Sequence, residues 1–213
     1  MPRISARIGL MAMAFLSVAT ALWSLRFAAV PFHVWLGIGP EIKTVVERVP
    51  LAALTHMILG PVALLVGPFQ FFAALRARRP SLHRAMGKIY VAACTMSGVA
   101  GFATALHASG GPIAGLGFGT LAVLWIVTTL GAWRAAVMRK FDLHRLLMRF
   151  SYAMTFGAVT LRLQIPLFFL LGYPSYAAMS VWLAYTAWIP NVIVVALYAM
   201  AEALRRPMPA AAE

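Results

Sequence analysis

The chain is short of charge, and above all of negative charge. Of its 213 residues only five are Asp or Glu, and residues of both signs make up 11%. A soluble domain carries about a quarter, so there is too little polar surface to clothe a water-soluble particle. Cysteine occurs once, as Cys94 within an apolar run, which excludes an internal disulfide framework. The expected role of Cys94 is that of a small packed residue. The usual catalytic signatures are missing as well: no serine nucleophile motif, no phosphate-binding loop and no His-Glu-x-x-His pair. Only Asp142 among the carboxylates stands near a histidine in sequence, which leaves acid–base catalysis almost without candidates.

What is there is apolar. Hydrophobic residues make up 62% of the chain, and its mean hydropathy is +0.86. Six stretches are long enough to cross a hydrocarbon core of about 30 Å, which needs roughly 20 helical residues. They are 8–30, 51–75, 85–107, 113–136, 146–171 and 177–204. Near-continuous apolar runs exclude the short alternating segments of a porin-type barrel, and helices satisfy their own backbone hydrogen bonds in lipid. The expectation is a single all-α domain, an integral-membrane bundle of six helices. The first run continues past the small-residue patch at Ala19-Thr20-Ala21 to Val30, so a retained first helix is expected rather than a cleaved signal peptide.

The formal net charge of +13 could suggest nucleic acid, but its distribution argues against that partner. Two cations precede the first run, five lie between 76 and 88, five between 134 and 149, and two follow the last run. The loops on the other side hold Lys43 and Arg48, offset by Glu41 and Glu47. This bias places both termini in the cytoplasm. The expected partners are the bilayer and anionic lipid at the cytoplasmic face. The outer loop after the first run, with Phe32, His33 and Trp35 between Pro and Gly, reads as an interfacial segment with aromatic anchors. Arg26 is placed near the outer interface, where it can snorkel.

The most informative stretch is Leu82-His83-Arg84-Ala85-Met86-Gly87-Lys88-Ile89-Tyr90, echoed 61 residues later by Leu143-His144-Arg145-Leu146-Leu147-Met148-Arg149. Each closes a basic loop and opens an apolar run. Ser81 and Asp142 are the expected helix caps. The offset also superimposes the two basic turns, so helices 2–3 and 4–5 read as a tandem two-helix repeat in one orientation. The Gly60-Pro61 and Gly67-Pro68 steps predict kinks in the second span, and Gly115, Gly117 and Gly119 predict close packing in the fourth.

Four histidines divide by depth. His56 and His107 fall near the outer face, His83 and His144 at the inner face. Pairs of membrane histidines suit haem b, whose iron takes neutral imidazoles as axial ligands. His83 and His107 are separated by 24 residues, about 36 Å of helix, and do not share a face. One haem on one side therefore fits better than two, with the outer side favoured because His56 lies within a span. The inner His-Arg steps, at helix N-termini, also suit an anion such as a lipid phosphate. Arg162 stands in the outer half of the fifth span with no carboxylate at its depth, so it is expected to face the bundle interior and bond a carbonyl, Gln164, Asn191, water or an anion.

His56-x-x-x-Gly60, Gly67-Pro68-Phe69-Gln70-Phe71, Leu82-His83-Arg84-x-x-Gly87-Lys88-x-Tyr90, the glycines from Gly110 to Gly119, His144-Arg145-x-x-Met148-Arg149-x-Ser151-Tyr152-Ala153 and Thr160-Leu161-Arg162 form a set. With them the chain, from about Leu51 to Ala201, resembles the bacterial domain of unknown function 2306 family of multi-pass membrane proteins. The resemblance implies the fold and supplies no reaction. Two readings stay open: a b-type haem-binding or quinone-linked electron-transfer protein, and a non-enzymatic small transporter or lipid- and anion-interacting protein. His56, His107, His83, His144 and Arg162 are the candidate site residues, and the sequence names no metal site.

Overall fold

The structure is a computed structural model and describes residues 2–29 and 40–205. The loop residues Phe32, His33 and Trp35 lie outside the described residues. Among those described, the regular structure is helical throughout: α1 (Pro2–Ala29), α2 (Pro40–Arg48), α3 (Pro50–Val66), a 3-10 turn (Pro68–Phe71), α4 (Ala73–Arg78), α5 (Pro80–Ala105), α6 (Gly111–Val137), α7 (Phe141–Leu170), α8 (Tyr176–Thr186) and α9 (Ile189–Leu204). Five helical stretches have the length and apolarity to cross a membrane: Arg7–Arg26, Pro50–Phe71, Gly111–Val137, Phe141–Leu170 and Tyr176–Leu204.

Prolines decide many helix boundaries. Pro50 and Pro80 open α3 and α5 in their first turns, where a missing N–H costs nothing. This corrects the expected cap: Ser81 is already inside the helix, and α5 starts without a side-chain cap. Asp142 likewise lies in the first turn of α7 rather than before it, and forms an ion pair with Arg145 one turn on. The stretch 51–75 is not one helix. Pro61 is accommodated within α3, but at Gly67-Pro68 the ladder stops and a 3-10 turn follows. Two reasons coincide there: Pro68 has no N–H to donate, and the Tyr152 ring presses so close that a Cβ on Gly67 would lie 2.4 Å from it. The last stretch also divides, at Ala187-Trp188 before Pro190.

Helices α3, α5, α6 and α7 form a closed ring, each touching its neighbours, with α3 completing the circuit against α7. Helix α1 packs over α3 and α7, α8 over α6, and α9 over α7. The interior is built from small and hydroxyl-bearing residues, among them Ala63, Ala93, Ala132, Ser97, Thr129 and Ser151. Large apolar side chains point outward instead, with Phe15 72% and Leu170 85% exposed. This inverted distribution is what a bilayer demands: helices gain no hydrophobic free energy by meeting each other in lipid, so close backbone approach holds them together. At α5–α6 a Cβ on Gly98 would meet Ile126 at 2.6 Å, and at α6–α8 one on Gly117 would meet Ala184 at 2.8 Å. The turn between α5 and α6 closes at Gly111, whose φ of +72° suits glycine.

Hydroxyl groups join the ring at its centre. Tyr90 Oη on α5 lies 2.9 Å from Ser151 Oγ and 2.8 Å from Thr155 Oγ1, both on α7. From α6, Thr129 Oγ1 lies 2.6 Å from Ser151 Oγ, and Trp125 Nε1 donates to Thr155 Oγ1 at 2.9 Å. Tyr152 bonds Ser17 of α1 at 2.7 Å. Such bonds average about 0.6 kcal/mol each in a membrane bundle, so the network contributes mainly register.

Candidate functional site

One end of the bundle gathers the basic residues. It is formed by the 3-10 turn, α4, the starts of α5 and α7, and the close of α9. Here Arg76 Nη1 donates to the Gln70 carbonyl at 3.0 Å, and Gln70 N–H donates to Gly67 O at 3.0 Å. The Gln70 backbone is thus held on both sides, and its side chain lies against α5 at Gly87, where a Cβ would sit 3.5 Å from Oε1. Gln70 is only 7% exposed, yet its Nε2 has no hydrogen-bond acceptor. One turn before Gly87 on α5, His83 Nδ1 is also buried without a partner. Among the described residues, no other buried side-chain nitrogen or oxygen lacks one.

His144 comes to the same end from α7, and its Nδ1 lies 2.9 Å from the Ala132 carbonyl. A carbonyl only accepts, so Nδ1 carries a proton and donates it. His144 lies within electrostatic reach of His83, as do Arg76 and Arg84. Burial first, then these three groups, holds the His83 imidazole below its ordinary value of 6.5. His83 and His144 therefore stand at the same end of the bundle within electrostatic reach of each other, and Gln70 lies against α5 one turn from His83. Close by, Arg149 pairs with Glu202 of α9 at 2.6 Å, on the wall of a cleft of about 350 Å³ that Asp142, Arg145 and Leu146 also line.

The other candidates lie toward the opposite end. His56 Nδ1 is 2.9 Å from the Ser97 carbonyl and 3.1 Å from Ser97 Oγ, with its ring against Gly101. His107 follows the end of α5, six residues beyond Gly101 and so about 9 Å further along. Arg162 is within electrostatic reach of His56 and of Tyr176. It does not face the interior as expected. It is exposed on α7 and donates to the Ala158 carbonyl of its own helix at 2.9 Å. Gln164 and Asn191 are engaged elsewhere, with Thr186 and with Thr160 and Ala153. A guanidinium can reach back one helical turn, and that local carbonyl removes the need for an interior partner. Arg26, in turn, stacks over the Trp23 ring at 3.5 Å.

Sequence reading missed the hydroxyl network and the isolation of Gln70. Periodicity could have flagged Ser151 and Thr155 on one face of α7, but the partners from α5 and α6 depend on packing. Among the described residues no three His, Cys, Asp or Glu side chains gather as metal ligands would. Two histidines from different helices are the pattern for bis-imidazole haem rather than for zinc.

No curated protein and no solved structure matches the chain. A family model described as "Predicted membrane protein (DUF2306)" matches residues 53–199, which include α5, α6, α7 and every candidate site residue named above. A membrane-type bundle with five apolar spans, a paired His-Arg step and this match lead to one conclusion: the chain belongs to the DUF2306 family of membrane proteins.

Proposed function

We propose that the chain is a six-helix protein of the bacterial inner membrane with both termini cytoplasmic, a tandem repeat of α3–α5 and α6–α7, and a redox cofactor, b-type haem or quinone, at its basic end. Helix α5 supplies the sixth span: its 26 residues reach about 39 Å and pack between α3 and α6. The repeat draws support from Tyr90, which contacts Ser151, its own counterpart at the 61-residue offset. Counterpart positions meet in this way when two units pack about an axis along the membrane normal.

The observation that carries the redox reading is that His83 and His144 stand at one end of the ring, each seven residues before the hydrogen-bonded pair Tyr90 and Ser151. His144 is oriented through the Ala132 carbonyl as ligating histidines are, and Arg84, next to His83 at the start of α5, stands at that end to pair with a propionate. Bound haem supplies one-electron chemistry; the protein contributes orientation, charge and exclusion of water. Protein purified from haem-supplied cells should show a reduced-minus-oxidised difference spectrum, or release a quinone into organic solvent. Either signal should be lost in His83→Ala and His144→Ala. A colourless preparation that yields no quinone refutes the reading.

A second reading, a small transporter or a lipid- and anion-interacting protein, is favoured by the exposed Arg162, which spends a single donor on Ala158. Anion-dependent thermal stability that disappears in Arg162→Ala would support it.

A further inference from the structure

The redox reading leaves the cofactor open, and the chemistry around Gln70 narrows it. A buried N–H without an acceptor is rare, because it has given up water and gained nothing. Here two polar nitrogens without a partner, Gln70 Nε2 and His83 Nδ1, sit at the same end of the bundle: the Gln70 side chain lies against Gly87 of α5, and His83 is one helical turn before Gly87 on the same face. Neither bonds the other. Both can donate, so what fits between them is a ligand that offers acceptor oxygen.

We propose that Gln70 and His83 form the binding pocket of a quinone headgroup, with a quinone carbonyl oxygen accepting from these two side chains. This rests on the redox reading and chooses between its two cofactors. A phosphate or carboxylate shares the acceptor chemistry but matches the site less well. The strong anion ligands at this end are guanidinium forks, and Arg76 is already turned back onto the Gln70 carbonyl. The unpartnered groups are a neutral amide and an imidazole, and a neutral carbonyl can be desolvated against them at far lower cost than an anion. Gln70 also sits within a run of aromatic rings: Phe69 and Phe72 stack on each other with centroids 6.1 Å apart, and Phe71 packs on Tyr152 at 5.3 Å. That gives a flat ring and its isoprenoid tail apolar surroundings at the membrane edge.

The test is a titration of the full-length protein in nanodiscs with decylubiquinone, followed by quenching of tryptophan fluorescence and by thermal unfolding. Wild type should bind saturably and gain thermal stability. Gln70→Leu and His83→Phe should each bind at least about tenfold more weakly, the loss of roughly one hydrogen bond in an apolar site. Gln70→Leu should also unfold at a higher temperature than wild type without ligand, because it removes an unsatisfied buried donor. A purely structural Gln70 would be destabilised by that change. His83→Asn, which keeps a donor, should bind more tightly than His83→Phe. Undiminished binding in both Gln70→Leu and His83→Phe overturns the proposal, as does stabilisation by phosphatidylglycerol or inorganic phosphate in place of decylubiquinone. A haem spectrum dependent on His83 and His144 with no decylubiquinone binding overturns the quinone pocket and leaves the redox reading standing. Absence of both signals removes the two together.

Discussion

Replacing Gly101 by alanine sets two effects of opposite sign against each other. Gly101 lies within α5, where alanine favours the helix by about 0.8–1.0 kcal/mol. The added methyl, however, would lie 2.9 Å from His56 Nδ1 and 3.1 Å from Cε1. The ring cannot yield without leaving the Ser97 carbonyl, now at 2.9 Å. Overpacking of this kind costs about 1–3 kcal/mol, and the lost hydrogen bond adds about 0.6–1 kcal/mol. Packing outweighs propensity, with a net destabilisation of about 0.6–3 kcal/mol. On the scale of a chain this long, that is a fall of about 2–9 °C in apparent Tm. The assay is thermal unfolding in one detergent at one scan rate, since such unfolding is often irreversible. A double-mutant cycle sharpens it. In a His56→Ala background the clash is gone, and the same Gly101→Ala change should stabilise through propensity alone. If Gly101→Ala stabilises the wild type, or destabilises both backgrounds equally, His56 is not packed on α5 as described.

Removing the Tyr90 hydroxyl should cost about 1–2 kcal/mol, because two bonds vanish at once. The loss should be non-additive with Ser151→Ala when the two are combined in unfolding measurements. Glu202→Gln should change stability by less than about 1 kcal/mol, since the pair with Arg149 is 29% and 39% exposed, and added salt should shrink even that. The pH dependence has a definite sign. His83 resists protonation in the folded state through burial and the charges of Arg76, His144 and Arg84, while the unfolded chain protonates it near 6.5. Below that pH the unfolded state binds more protons, so stability falls as pH drops from 6.5 toward the lowered folded value and is unaffected above. His83→Gln should flatten that slope in unfolding temperatures recorded from pH 7.5 to 5.

Which features the residues announce by themselves follows from how far each interaction reaches along the chain. Composition and run length are sums over neighbours, so the membrane assignment and the apolar stretches were plain before any coordinates. The pairing of His83 with His144 was legible as an echo at a fixed offset, and a bundle of repeats tends to bring counterparts to one end. Helix starts were less legible, because Ser81 and Asp142 are good caps in isolation. Pro80 and Phe141 simply begin each helix earlier. Arg162 illustrates the same limit: its depth was readable, but whether it turned inward depended on a carbonyl one turn back.

The sequence by itself determined that this is a helical membrane protein, that its positive charge clusters between the apolar runs, and how far along each run its histidines stand. These are properties of local composition and of 1.5 Å per residue along a helix. Only the tertiary structure decided that Gln70 is buried with an unpartnered amide against α5, that Tyr90, Ser151, Thr129, Thr155 and Trp125 share one hydrogen-bonded centre, and that His56 bonds Ser97 of α5. Each of those depends on helices approaching at glycine-sized distances. No single stretch of chain carries that information, because the spacing between two helices is set by side chains belonging to both.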